Sequence, residues 1–170
     1  SWALAAPQMT ERPNVPDNRD YSDTLTVLVG GPDNQIDLIW AKLVIDQLVD
    51  AETSIEQAET QIAEIARQAM MISGSTTTDQ TKVDALRRVI YEAGRWNSDQ
   101  PFSYDFDNPN GRLAQNKTIS EYLATRRGNC VNMPILFLLA GEKMGLKMNL
   151  TTAPRHAFVQ FEDRESGKVI

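Results

Sequence analysis

The first half of the chain carries apolar residues at helical spacing. One stripe consists of Ile36, Ile39, Leu43 and Leu48. This spacing predicts a helix over 34–49. A second stripe follows Ser54 and Gln57, whose spacing is typical of a capping box, and a third predicts a helix over 79–93. Because little chain separates the first two helices, we expect them to form an antiparallel hairpin over 34–76.

The residues before this hairpin have no apolar period. The segment 7–23 is rich in Pro, Asn, Asp and Arg, and a Gly-Gly-Pro turn follows at 30–32, so 1–33 is predicted to be an extended N-terminal arm. Ala3 and Ala5 have the spacing found at the end of a signal peptide, which favours an exported protein whose leader has been removed nearby. The alternative is an ordinary apolar start that packs on the rest of the protein.

The third quarter of the chain combines an irregular loop with two further helices. Residues 96–117 lack a period, and the Asp and Asn residues around 105–111 favour a turn closed by their own side chains over a calcium loop. A second capping box, Thr118 with Glu121, starts a short helix. Near 130 a strongly apolar helix begins, and two short strands are predicted at 146–152 and 157–161.

The chain contains one cysteine and one histidine, so thiol or imidazole chemistry must use Cys130 or His156. A single cysteine excludes an internal disulfide, and one cysteine with one histidine falls short of the usual three or four zinc ligands. Neither a metal site nor a cofactor is therefore expected. Pro134 places Cys130 near the start of the apolar helix, where unpaired N–H groups and the helix dipole favour a thiolate. Each residue alone is more often structural: a small buried thiol or a surface imidazole.

The overall charge and hydropathy exclude two classes of partner. Seventeen Lys and Arg residues stand against twenty-three Asp and Glu residues, a net charge of -6, and the basic residues form no stripe. Nucleic acid is therefore not an expected partner. No apolar run reaches the roughly 18 residues that cross a bilayer, so no membrane span is expected. The expected partners are a protein or peptide substrate and a protein that docks on the helical hairpin.

The region from Gly128 to Phe161 resembles the transglutaminase-like superfamily, which has a papain-like Cys-His fold. The resemblance lies in Gly-Asn-Cys before an apolar helix, in Lys-Met-Gly-Leu at its end, and in His-Ala-Phe-Val on a strand. The helical lead-in resembles the bacterial branch with an α-helical N-terminal part. This resemblance implies an α+β fold, with a helical N-terminal part packed on a transglutaminase-like core over 77–170. In that core a central helix carries Cys130 and a small antiparallel sheet carries His156.

The same resemblance implies a function for the pair. Cys130 would form a thioester with a peptide or glutamine-type amide, with His156 as general base, in a peptidase or acyltransferase reaction. A catalytically silent binding or scaffold module with the same fold is the alternative. For a second oxyanion donor the resemblance points upstream of the cysteine. Gln115 and Asn116 are candidates by position, and Trp96 and Tyr104 by chemistry.

The family's third catalytic residue is an Asp or Asn on the strand after the histidine. A turn centred near Glu165 and Ser166 puts that position a few residues beyond Ile170, so we expect the core to be truncated at its C-terminal end. Glu162 is a poor substitute, because six residues of extended strand span about 20 Å. Asp105 and Asp107 are remote candidates for a replacement.

Overall fold

The computed structural model describes residues 26, 36–75, 78–154 and 156–170. Within them, Leu38–Ile170 is one compact unit. Apart from Thr26, the predicted arm over 1–33 and the signal-peptide residues lie outside the described part of the chain. The division between a hairpin ending at 76 and a core beginning at 77 stays a prediction.

Five α-helices account for nearly half of the unit. They are α1 (Leu38–Val49), α2 (Ile55–Ser73), α3 (Asp79–Tyr91), α4 (Ile119–Thr125) and α5 (Asn132–Lys143). Both predicted capping boxes contribute a side-chain cap: Ser54 Oγ accepts from the Gln57 N–H at 3.3 Å, and Thr118 Oγ1 accepts from the Glu121 N–H at 3.2 Å. None of the helices in the described ranges is long and apolar enough to span a membrane.

Helix α2 lies at the centre of the helical packing and contacts all four other helices. The apolar stripes predicted from the sequence meet there in one core. Its fully buried members include Leu43, Ile62, Leu86, Ile90, Leu136 and Leu139. These residues come from α1, α2, α3 and α5, so one core joins the helical hairpin to the helix that follows Cys130.

Two small sheets complete the fold. Strands β1 (Ser103–Tyr104) and β2 (Arg127–Gly128) pair in parallel. Strands β3 (Met148–Ala153) and β4 (His156–Phe161) pair antiparallel, with Met148 opposite Phe161 and Ala153 opposite His156. Helix α5 packs against both β3 and β4. This arrangement confirms the predicted α+β class, with a central helix against a small antiparallel sheet.

The chain turns back on itself after β4. Glu162 bridges to Val169, and Phe161 and Ile170 exchange two backbone hydrogen bonds, each of 2.9 Å. This register centres the turn between Glu165 and Ser166, where the sequence predicted it. Continuing it from Phe161 back to His156 puts the position opposite the histidine five residues after Ile170. The third catalytic residue therefore stays a prediction.

Candidate active site

Two asparagines that flank Cys130 cap the start of α5 reciprocally. Asn129 Oδ1 accepts from the N–H groups of Val131 at 3.0 Å and Asn132 at 3.3 Å, while Asn132 Oδ1 accepts from the Asn129 N–H at 2.8 Å. The Asn129 carbonyl also accepts from the Met133 N–H at 3.2 Å. Helical hydrogen bonding therefore begins at Asn129 and places Cys130 in the first turn.

A proline explains why regular α-helix begins later, at Asn132. The next bond of the ladder would run from residue 134 to the Cys130 carbonyl, but Pro134 has no N–H to donate. Cys130 thus lies at the N-terminal end of α5, as the sequence predicted. Its own backbone N–H donates no hydrogen bond within the described residues, so it remains available to an oxyanion.

The capping box is fixed to the preceding short helix, Ala114–Lys117, by the Asn116 backbone. The Asn116 carbonyl accepts from Asn129 Nδ2 at 2.8 Å and from Asn132 Nδ2 at 2.9 Å. Asn129 is 3% exposed and Asn132 is fully buried. Because both side-chain amides bond at both ends, the turn that carries Cys130 has a defined position.

Close packing explains the glycine two residues before the cysteine. A Cβ atom on Gly128 would lie 2.5 Å from Tyr122 Cε2 and 2.7 Å from Asn132 Oδ1. Tyr122 is fully buried and packs edge to face on Phe102, with ring centroids 5.0 Å apart. Burial raises the pKa of Tyr122, so its hydroxyl stays protonated. Only a residue without a side chain fits between this ring and the capping box.

Cys130 and His156 line the same cavity, whose volume is about 520 Å³. The cavity lies among α3, α5, β3 and β4, and residues of each helix and strand line it. Cys130 is half-buried, and His156 is exposed at the first position of β4. Within the described ranges, neither side chain makes a hydrogen bond. The fold therefore brings the predicted pair to one cavity, although no hydrogen bond joins them within the described residues.

Two tyrosines, Tyr91 and Tyr104, line this cavity. The Tyr104 hydroxyl donates to the Pro109 carbonyl at 3.3 Å. Tyr91 lies at the end of α3, and burial raises the pKa of its hydroxyl to about 12. Tyr104 is thus one of the suggested oxyanion residues that shares the cavity with Cys130.

The other suggested oxyanion residues lie elsewhere. Gln115 is exposed, and neither it nor Asn116 is among the described residues that line the cavity. The Asn116 side chain is engaged in its own loop, where Oδ1 accepts from Asn108 Nδ2 at 2.9 Å. The Trp96 indole N–H donates to the Glu92 carbonyl at 3.1 Å. A role of Gln115 or Asn116 at the oxyanion stays a prediction.

The two aspartates suggested as replacement orienters pair with an arginine. Arg127 Nη2 donates to Asp105 Oδ1 at 2.9 Å and to Asp107 Oδ2 at 2.8 Å. Asp105 Oδ1 also accepts from the N–H groups of Asp107 and Asn108, which is the Asx turn that the sequence predicted. Both aspartates line a smaller polar cavity with Asn116 and Asn129, not the cavity of Cys130 and His156.

The asparagine pair around Cys130 was missed by the sequence analysis. Its signal was present in the sequence, because Asn129 and Asn132 have the three-residue spacing of a capping box directly before an apolar helix. Pro134 indicated where the helix starts but did not identify the residues that cap it. The contribution of the Asn116 backbone had no such signal, since any residue supplies a carbonyl.

Comparisons with known proteins agree with this architecture. A family model described as transglutaminase-like superfamily matches residues 56–170. The chain is also similar to a protein of Vibrio cholerae serotype O1 described as UPF0162 protein, with 22% identity over 119 residues. That match covers 70% of this chain but 41% of the relative, so the chain spans less than half of the relative's length. No solved structure matches the chain significantly.

The family match covers more than half of the chain and includes α2 to α5 and all four strands. It also includes both residues of the candidate pair. The chain belongs to the transglutaminase-like superfamily.

Proposed function

We propose that this protein is a thiol-dependent acyl-transfer enzyme that acts on a peptide or glutamine-type amide. The observation that carries the proposal is that Cys130, in the turn that leads into α5, and His156, at the start of β4, line one cavity. A thiol at a helix start is favoured as thiolate, and an imidazole in the same cavity is the matching base. In free enzymes the catalytic hydrogen bonds are often long and shorten when substrate binds.

The first half of the reaction forms a thioester. Cys130 Sγ bonds to the carbonyl carbon of the amide while His156 accepts the thiol proton. The carbonyl oxygen becomes an oxyanion, which the unpaired N–H of Cys130 stabilises. When the oxyanion collapses, the carbon–nitrogen bond breaks and His156 returns the proton to the departing amine.

The second half releases the acyl group. Water or an amine attacks the thioester carbonyl, and His156 accepts the proton of the attacking group. The carbon–sulfur bond then breaks, and the proton returns to the Cys130 sulfur. Water as acceptor gives hydrolysis, and an amine gives transfer or cross-linking. We favour hydrolysis because His156 is exposed to solvent, and water needs no dedicated binding site to act as the acceptor.

The decisive experiment is the rate of Cys130 alkylation by iodoacetamide as a function of pH. Because Cys130 is the only cysteine, the product is unambiguous by mass spectrometry. We expect a midpoint well below about 8.5, the value of a free thiol. His156→Ala should move that midpoint upward, and Gln160→Ala, on the same strand but outside the cavity lining, should leave it unchanged.

A silent scaffold of the same fold is the second candidate. It is favoured by the absence, within the described ranges, of any hydrogen bond that orients His156. Under this alternative Cys130 reacts with the midpoint of a free thiol, and His156→Ala changes nothing. The helical hairpin would then be the surface to test for a protein partner.

A further inference from the structure

The cavity beside Cys130 has an unusually uniform chemistry. Fourteen described residues line it, and apart from Cys130 and His156 they are all apolar or aromatic. No Asp, Glu, Lys or Arg is among them, although these four types make up 24% of the chain. A charged group placed among the apolar and aromatic residues, away from His156, would therefore lose its water without gaining an ion partner, which is unfavourable.

The shape of the walls adds to this preference. Tyr91 on α3 and Phe137 on α5 present parallel rings, with centroids 6.3 Å apart and an interplanar angle of 4°. Met133 and Met148 lie beside them, and methionine side chains adapt their shape to an apolar or aromatic group. Phe158, two residues after His156, closes the side formed by β4. The volume of about 520 Å³ lies within the range of small-molecule sites.

We propose that the substrate of this site is the peptide amide rather than the glutamine-type amide, and that its acyl group is uncharged with a bulky apolar substituent, aromatic or branched aliphatic. The substituent packs against these rings and methionine side chains while the reacting carbonyl lies at Cys130. This inference rests on the proposed function, because it assigns the cavity to the acyl part of the same reaction. Polar or charged parts of the substrate lie outside the cavity, on the exposed side of His156.

The test compares three alkylating probes that react with the same thiol. They are iodoacetamide, N-benzyliodoacetamide and the N-benzyl compound with a carboxylate on its ring. Each rate on the protein is divided by the rate of that probe with N-acetylcysteine, which removes intrinsic reactivity. We expect the neutral benzyl probe to be favoured about tenfold over iodoacetamide, and the carboxylate to abolish that preference.

Two variants locate the preference in the cavity. Phe158→Thr removes an aromatic side chain that lines it, and Leu150→Thr removes an apolar side chain of the neighbouring strand that does not. The two residues are matched, because Phe158 is 40% exposed and Leu150 is 44% exposed, so neither change should prevent folding. Phe158→Thr should lose most of the benzyl preference, and Leu150→Thr should keep it.

The outcomes separate the inference from the proposed function. If Cys130 reacts rapidly in a His156-dependent manner but all three probes react alike, the apolar substrate class is wrong and the enzyme proposal stands. Equal loss of preference in both variants would also overturn the inference, since the effect would not arise in the cavity. If His156→Ala has no effect on any probe, the proposed function falls and the substrate class falls with it.

Discussion

Asn132 shows how much of the site depends on single side-chain amides. Its carbonyl oxygen accepts from the Asn129 N–H, and its amide nitrogen donates to the Asn116 carbonyl, while the residue is fully buried. An aspartate has no donor for the second bond, and an alanine has neither group. The neutral amide is thus the group that satisfies both the Asn129 N–H and the Asn116 carbonyl.

We therefore expect Asn132→Ala to be destabilising. The change leaves the buried Asn129 N–H without its acceptor, and an unsatisfied buried polar group costs about 1–3 kcal/mol. Urea unfolding measures the loss, and Asn149→Ala on the exposed face of β3 is the control that should change little. If both variants unfold at the same urea concentration as the unmodified protein, the capping box does not stabilise the turn.

At this scale the sequence was informative where residue types are rare. Cys130 and His156 were identified because the chain holds one of each. The position of Asn116 was also noticed, but its part in the structure comes from a backbone carbonyl, which sequence does not distinguish from any other. The pairing of Arg127 with Asp105 was not predictable for a different reason, because the partners are 22 residues apart and Asp105 lies in a loop without a period.

Among elements, the long helices were predictable and the shortest strands were not. The third stripe predicted a helix over 79–93, and α3 runs over Asp79–Tyr91, because a helix of that length shows several turns of its apolar period. Strands β1 and β2 have two residues each, which carry no period. Their parallel pairing nevertheless fixes the chain immediately before Cys130, since the Asp105 N–H donates to the Gly128 carbonyl at 2.7 Å.

Gly128 allows that pairing and the α5 cap to lie side by side, so we expect Gly128→Ala to be destabilising. The added methyl group would meet the buried ring of Tyr122, and overpacking of this kind costs about 1–3 kcal/mol. Gly141→Ala on α5 is the matched control, because its methyl group meets the flexible end of the Met148 side chain. The melting temperature should decrease clearly more for Gly128→Ala than for Gly141→Ala. Equal decreases in melting temperature would contradict the close-packing argument.

An ion pair connects the start of α3 to the turn after β4, and it makes stability depend on pH. The Arg164 guanidinium donates to Asp79 and lowers the pKa of this carboxyl from 3.8 to about 2. A carboxyl group whose pKa is lowered by folding stabilises the folded state at pH values above its unfolded pKa of 3.8. This contribution is lost as the pH falls through about 2. We expect Asp79→Asn to have a lower free energy of unfolding than the unmodified protein at pH 5. The difference between the two free energies should become smaller as the pH is lowered toward 2. Urea unfolding across this range is the measurement, and a constant difference would exclude the linkage.

At the scale of the whole molecule, direct contacts connect the helical hairpin to the elements that carry the candidate site. Asp46 on α1 is buried, pairs with Lys42, and accepts from the Ile119 N–H at the start of α4 at 2.7 Å. Burial raises the pKa of Asp46 because desolvation disfavours the carboxylate, and the bonds from Lys42 and the Ile119 N–H oppose this shift. Helix α2 packs on α5 as well as on α1 and α3. These contacts join the two predicted domains through one core.

We therefore expect the hairpin and the site to unfold together. Ile62 on α2 and Leu136 on α5 are both fully buried, and truncation of such residues to alanine costs about 2–5 kcal/mol. Because the core is continuous, Ile62→Ala should increase hydrogen exchange in α5 as much as in α2, and Leu136→Ala should do the same from the other side. Mass spectrometry of peptides from the two helices measures both. If each variant loosened its own helix alone, the residues 34–76 would form a domain that folds independently of the site, and the hairpin would be free to serve a partner without affecting Cys130.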